Sequence, residues 1–206
     1  MNLKKLFPLQ KELDSHIVKE KGLEGQDLLD KKILALQVEL GELANEHRGF
    51  KFWSEDQEPD IKKCHACRGL GEFEYLDFYP ENCSHCEGTG IEGGRVLEEY
   101  VDCLHFILSI GNDLEFSNVR FPDNEEVDDF IDVGRSVSHQ LNLLMSLIGR
   151  MYFKLIKEEI VYFTDYYVVV GAFISLYKML GFNWKQIEQA YLEKNKINHE
   201  RQQNGY

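Results

Sequence analysis

Positive charge is scarce in this chain: 23 Lys and Arg stand against 36 Asp and Glu, a net charge of −13. A general nucleic-acid surface needs a basic patch or stripe, so that class of function is excluded. Long apolar runs are also missing. The most apolar stretch, Tyr166–Tyr177, has 12 residues without charge and lies between Asp165 and Lys178. A membrane-spanning helix needs about 20 such residues, so this one is expected to be a buried core helix. The opening segment MNLKKLFPLQKELDSHI has lysines but no apolar run behind them, and no signal peptide is expected. No segment is low in complexity, and no serine or cysteine constellation suggests a covalent intermediate. A soluble, cytoplasmic protein with reduced cysteines and no membrane or nucleic-acid partner is the expectation. With 206 residues there is room for one full core and a small satellite.

What is present is carboxylate at helical spacing. Glu39 and Glu42 sit in VELGELANE, and Glu99 and Asp102 in LEEYVDCLHF. Residues three apart on a helix share a face, so each pair forms a two-pronged oxygen clamp. An isolated Glu-x-x-Glu is usually solvated helix surface. Here each pair borders an apolar stripe: Leu29, Ile33, Leu36, Leu40 and Leu43 in the first segment, Leu97, Val101, Leu104 and Leu108 in the second. Carboxylates at the edge of a buried stripe lose hydration unless paired or bound to a cation. Two facing helices would build a four-carboxylate nest for hard divalent ions, and oxygen donors of this kind suit Mg²⁺.

Between the pairs lies a different chemistry. CHACRGLG begins at Cys64 and CSHCEGTG at Cys83. Cys64, Cys67, Cys83 and Cys86 have the spacing of a tetrahedral zinc site, and each CxxC carries the xGxG tail seen in DnaJ-type zinc modules. Gly69, Gly71, Gly88 and Gly90 supply the positive φ that a tight knuckle needs. Two disulfides or free thiols are the alternative. Glu42 and Glu99 are separated by 56 residues, and removing 62–92 leaves 25, a helix-loop-helix distance. Residues 62–92 are therefore read as a structural zinc insertion, folded outward from a domain formed by 1–61 and 93–206. Cys103 is left over as a small core thiol.

QVELGELANE, FKFW, EEYVDCLHFILSIG and KNKINHERQ together resemble the dimeric, all-α dUTPases. These belong to the all-α NTP pyrophosphohydrolases, which include MazG and share ExxE followed by ExxD. The resemblance implies an all-α helical bundle, a homodimer, and hydrolysis of dUTP, with dUDP as a second substrate, to dUMP. It implies two or three Mg²⁺ ions held by Glu39, Glu42, Glu99 and Asp102, with Glu42 or Glu39 as general base. Lys194 and Arg201 would contact phosphates and Asn198 the deoxyuridine; their spacing of four and three puts them on one helix face. Gln10, His105 and Phe106 match positions that contact or stack on uracil. Lys51 and Trp53 of FKFW would lie beside the nest, with Trp53 as a lid or as plain packing. The alternative substrate is dCTP or another non-standard nucleotide. A DnaJ-type binding module is opposed by the presence of two repeats and the lack of an HPD tripeptide; a purely structural helical dimer leaves the four carboxylates unexplained.

Periodicity and stop signals predict helices over about 3–17, 26–49, 96–112, 125–156, 159–180 and 183–199. Gly49 and Gly111 are expected to end the two acidic helices. The fourth is long or broken, at Gly134 or Gly149. Strands are expected only in the zinc insertion.

Overall fold

The computed structural model describes residues 2–73, 80–123, 125–131 and 136–205. Six α-helices organise them: α1 (Leu6–Glu20), α2 (Leu29–His47), α3 (Arg95–Asp113), α4 (Val137–Ile156), α5 (Phe163–Met179) and α6 (Trp184–Gln203). Short 3₁₀ turns occupy Leu3–Lys5 and Glu126–Phe130. The fold is all-α, as its periodicity predicts. Among the described residues the strands are β1 (Lys62–Lys63), β2 (Glu72–Phe73), β3 (Glu81–Asn82) and β4 (Ile91–Gly93). They form two antiparallel ladders, β1 with β4 and β2 with β3.

The centre of the bundle is α3. Val96, Leu97, Tyr100, Val101, Leu104, Ile107 and Leu108 are all buried, on more than the one face the stripe implied. α2 lays Ile33, Leu36, Leu40 and Leu43 against it, and α1, α5 and α6 also pack on α3. Each such leucine withdrawn from water contributes about 1.5–3 kcal/mol before entropy is charged. The apolar run of α5 is the buried core helix expected from its sequence: Val169–Tyr177 is buried throughout.

Helix ends differ from the sequence expectation in two places. Gly111 does not stop α3, which runs on to Asp113. A Cβ at 111 would come within 2.2 Å of the Tyr166 hydroxyl and 2.9 Å of the Phe7 ring. The glycine is there for close packing inside a helix, and Tyr166 uses that approach to donate to the Ile107 carbonyl at 2.8 Å. α2 closes at Arg48, whose φ of 64° supplies the left-handed cap expected of Gly49. Gly149 lies within α4 without breaking it; Gly134, the other candidate break, lies outside the described residues. Among the described residues, no helix is long and apolar enough to cross a membrane.

Candidate active site

The apolar stripe of α2 fixes its rotation against α3, and that rotation turns Glu39 and Glu42 toward the start of α3. Carboxylate oxygens of Glu39, Glu42 and Glu99 lie within 4.8 Å of one another. Glu99 is 4 % exposed and Glu42 faces solvent, so the nest opens outward from the core edge. Burial, then the charges of Asp102, Glu42 and Glu99, push the Glu39 carboxyl up to about 7. Burial, then Asp102, raises Glu99 as well, against the pull of Arg95. The Arg95 guanidinium reaches Glu99 at 3.0 Å from one turn earlier.

Asp102 stands apart from this trio. Its Oδ2 accepts from Lys194 Nζ at 2.6 Å, and Lys194 also reaches Glu98 at 3.4 Å. Burial works against the Lys194 ammonium, but Asp102 and Glu98 outweigh it and hold the amine charged. The four acidic residues are thus three clustered carboxylates, one of them paired with Arg95, and a neighbour paired with Lys194.

A cleft of about 540 Å³ runs from Glu39 and Asp102 between α1, α2, α3 and α6. Gln10, His105, Phe106, Lys194, Asn198 and Arg201 all border it. At its inner wall, polar groups are ordered in a chain. Gln10 Nε2 donates to Asp14 Oδ1 at 2.7 Å, which directs the amide oxygen the other way. That oxygen accepts from Tyr191 Oη at 3.0 Å and from His105 Nδ1 at 2.7 Å. Ser109 Oγ donates to the second Asp14 oxygen at 2.7 Å. Burial, then the charge of Lys194, pulls the His105 imidazole down to about 3, so it is neutral. With its Nδ1 proton given to Gln10, the lone pair lies on Nε2, which is buried and has no protein partner among the described residues.

Gln10 is therefore oriented with its carbonyl committed to the protein and one amide proton free, not with both faces open to a base. Asp14, Ser109 and Tyr191 were not singled out from the sequence. A helical signal was there: Asp14 is four residues after Gln10, Ser109 four after His105, and Tyr191 three before Lys194.

Lys51 and Trp53 lie away from the cleft. Lys51 Nζ donates to the Asn45 carbonyl at 3.2 Å. Trp53 is 65 % exposed and packs edge-on against Phe50 and Phe52. It is not core, and it does not line the cleft.

In the cysteine module, Sγ atoms of Cys64, Cys67, Cys83 and Cys86 lie within 4.8 Å of one another, and all four residues are buried. The Gly71 and Gly90 amides each donate to a sulfur, of Cys67 and Cys86, at 3.2 Å. Gly71 and Gly90 both have positive φ, and a Cβ at either would meet a carbonyl of the opposite knuckle at 2.5 Å. The two knuckles thus lie back to back with their thiols converging. Four sulfur donors with N–H support are a set that suits Zn²⁺.

A comparison with individually curated proteins finds no match. The sequence profile of the dUTPase family matches residues 2–67 and 88–206, so it takes in both acidic pairs, the cleft and α6, and lapses only inside the cysteine module. With that much of the chain covered, and all of the helices included, the chain belongs to the dUTPase family, the enzymes that hydrolyse dUTP.

Proposed function

We propose that the cleft hydrolyses dUTP to dUMP and pyrophosphate with Mg²⁺ as cofactor, and dUDP to dUMP and phosphate, which would keep uracil out of DNA. The observation that carries this reading is the adjacency of a self-repelling carboxylate trio to a cleft bordered by Lys194, Asn198 and Arg201. The donor set fits Mg²⁺: all are hard oxygens, and burial with mutual repulsion disfavours their charge unless a cation offsets it. Glu39, Glu42 and Glu99 would hold the metal, with Asp102 joining through the oxygen not bonded to Lys194. When bound, Mg²⁺ supplies neutralisation of the triphosphate and activation of water.

The chain's own residues do the rest. Glu39, the carboxylate of the trio that borders the cleft, takes the proton from the attacking water as its oxygen bonds to phosphorus and the bridging P–O bond breaks. Lys194 and Arg201 hold phosphate oxygens, and Asn198 the deoxyribose or base. The base is read by His105 and Gln10. Uracil presents N3–H, a donor matched to the His105 Nε2 lone pair, and a carbonyl matched to the free Gln10 amide proton. Cytosine presents a lone pair at N3, which would face the imidazole lone pair, so dCTP is disfavoured. Phe106 borders the same space and stacks on the base.

Two further assignments go with this reading. The four cysteines hold one structural Zn²⁺, consistent with reduced thiols and a cytoplasmic setting. The chain pairs as a homodimer. Residues Val169–Tyr177 of α5 are covered within the chain, whereas Leu34, Val38, Phe153 and Ile156 are exposed, at 61, 51, 55 and 56 %. Sedimentation as a monomer at micromolar concentration would remove the dimer. The activity is tested by a pyrophosphate-release panel of dUTP, dCTP, dTTP, dATP, dGTP and UTP with and without Mg²⁺, and phosphate release from dUDP. A preference of more than about tenfold for dCTP or a purine nucleotide would overturn the base assignment.

A further inference from the structure

The cysteine module does not fold outward as an independent knuckle. Its second half lies on the first turn of α6, the helix that carries Tyr191, Lys194, Asn198 and Arg201. Gln186 Nε2 donates to the Ile91 carbonyl at 2.6 Å and to Thr89 Oγ1 at 3.2 Å. Asn183 Nδ2 donates to the carbonyl of Cys86 at 3.5 Å, and Lys185 pairs with Glu87. Thr89 Oγ1 also donates to the Cys86 carbonyl, at 2.9 Å.

The same two α6 residues form the capping box of that helix. Asn183 Oδ1 accepts from the Gln186 amide, and Gln186 Oε1 from the Asn183 amide, both at 2.9 Å. The Gln186 side chain is thus divided: its oxygen caps α6 and its nitrogen binds the knuckle. About one and a half and two turns beyond Gln186 along α6, Tyr191 orients Gln10 and Lys194 bonds Asp102. β4 leads directly into α3, and the Val96 amide is held by the Asp60 carbonyl at 3.2 Å, so the module is tied at its base to the helix of Glu99 as well.

We propose that Gln186 is a positioning residue through which metal occupancy of the four-cysteine knuckle sets the affinity of the cleft for its nucleotide. This rests on the zinc and dUTP readings above. With Cys86 held by metal, the 86–91 segment presents its carbonyls and the Thr89 hydroxyl to Gln186 and seats the start of α6. Without metal, a segment this small lacks a core of its own to keep its shape, and the α6 face that binds phosphates loses its register.

Gln186→Glu separates the two halves of the side chain. A glutamate keeps the capping oxygen and suits a helix N-terminus, but has no N–H for Ile91 and sets a carboxylate against its carbonyl. The zinc-loaded variant is expected to retain wild-type zinc content and helicity, to raise KM for dUTP about fivefold or more, and to leave kcat within about twofold. Stripping zinc from the wild-type chain with a zinc-selective chelator in excess Mg²⁺ should raise KM equally, and should add nothing in Gln186→Glu. Hydrogen exchange in the first turn of α6 should quicken in both cases. An unchanged KM in the zinc-loaded variant, or a zinc effect of full size in that variant, overturns the coupling. A wild-type chain that binds no zinc on elemental analysis removes the metal and the proposal with it. If dUTP is not the substrate, the exchange measurement still decides: protection of the α6 turn that ignores zinc and Gln186→Glu overturns the proposal independently.

Discussion

Lys194 Nζ lies 2.6 Å from Asp102 Oδ2, with both side chains mostly buried at 14 and 18 % exposure. A cation that lines the cleft is thus joined to the acidic signature of α3 across 92 residues of sequence. The pairing serves both partners. It keeps Lys194 charged inside the cleft, and it places a positive charge next to Glu39 that opposes the rise of its carboxyl.

Lys194→Gln should therefore have two effects. KM for dUTP should rise about tenfold or more, the worth of a charged hydrogen bond to phosphate. Removing the charge also lets Glu39 rise further, so its ionised form becomes rarer at a given pH. In the metal-free protein the titration of Glu39, followed by NMR across pH 5–9, should move to higher pH. A titration that stays in place or moves down contradicts the electrostatic link.

Glu39→Gln should lower kcat about a hundredfold or more if Glu39 is the base. It should also change stability in the metal-free protein. With a folded pKa of about 7, raised from 4.5, the folded chain holds more protons than the unfolded chain between those values. The stability contribution of Glu39 is full below about 4.5 and is lost as pH rises through about 7. At pH 8 the Gln variant should be more stable than wild type by about 1 kcal/mol, after allowing for screening at this half-exposed site. Metal-free denaturation at pH 4 and pH 8 checks this; equal wild-type and variant curves at both would refute it.

Mg²⁺ binding near neutral pH should release protons, because Glu39, pushed up to about 7 in the metal-free nest, is protonated in part of the molecules and a cation displaces that proton. Titration calorimetry at pH 7 in buffers of different ionisation enthalpy would count them. No release, with affinity flat from pH 6 to 8, would place the metal elsewhere.

Tyr191→Phe removes one of two donors that hold the Gln10 carbonyl turned away from the cleft. The amide can then rotate and offer its oxygen to a donor such as cytosine N4. The dUTP to dCTP ratio of kcat/KM should fall about three- to tenfold, the worth of a single neutral hydrogen bond. A ratio unchanged within error would mean Asp14 and His105 orient Gln10 without Tyr191.

The sequence by itself was sufficient for everything that depends on short spacing. Three-residue steps beside an apolar stripe put Glu39 with Glu42 on one helix face, because helical geometry is local and the stripe decides which face is buried. The two CxxCxGxG repeats announced converging thiols for the same reason: four to eight residues with positive φ at fixed places dictate a knuckle. The meeting of Glu39 and Glu42 with Glu99 depended on the packing of α2 on α3, which the match of two stripes implied.

Relationships across the bundle were decided only by tertiary structure. Lys194 with Asp102, Gln10 with His105 and Tyr191, and Gln186 with Thr89 and Ile91 join residues more than 90 positions apart in each case. No periodicity encodes such pairs; they follow from how far each helix is rotated and shifted when its core seats. Gly111 makes the same point. A glycine near a helix end reads as a stop, and whether it instead admits Tyr166 and Phe7 depends on what packs there. Trp53 was open to being a lid or plain packing, since a single aromatic after a helix carries no direction; the chain's path beyond Arg48 leaves it exposed and outside the cleft. Local geometry determined which groups this chain has to work with, and close packing of distant helices decided which of them meet.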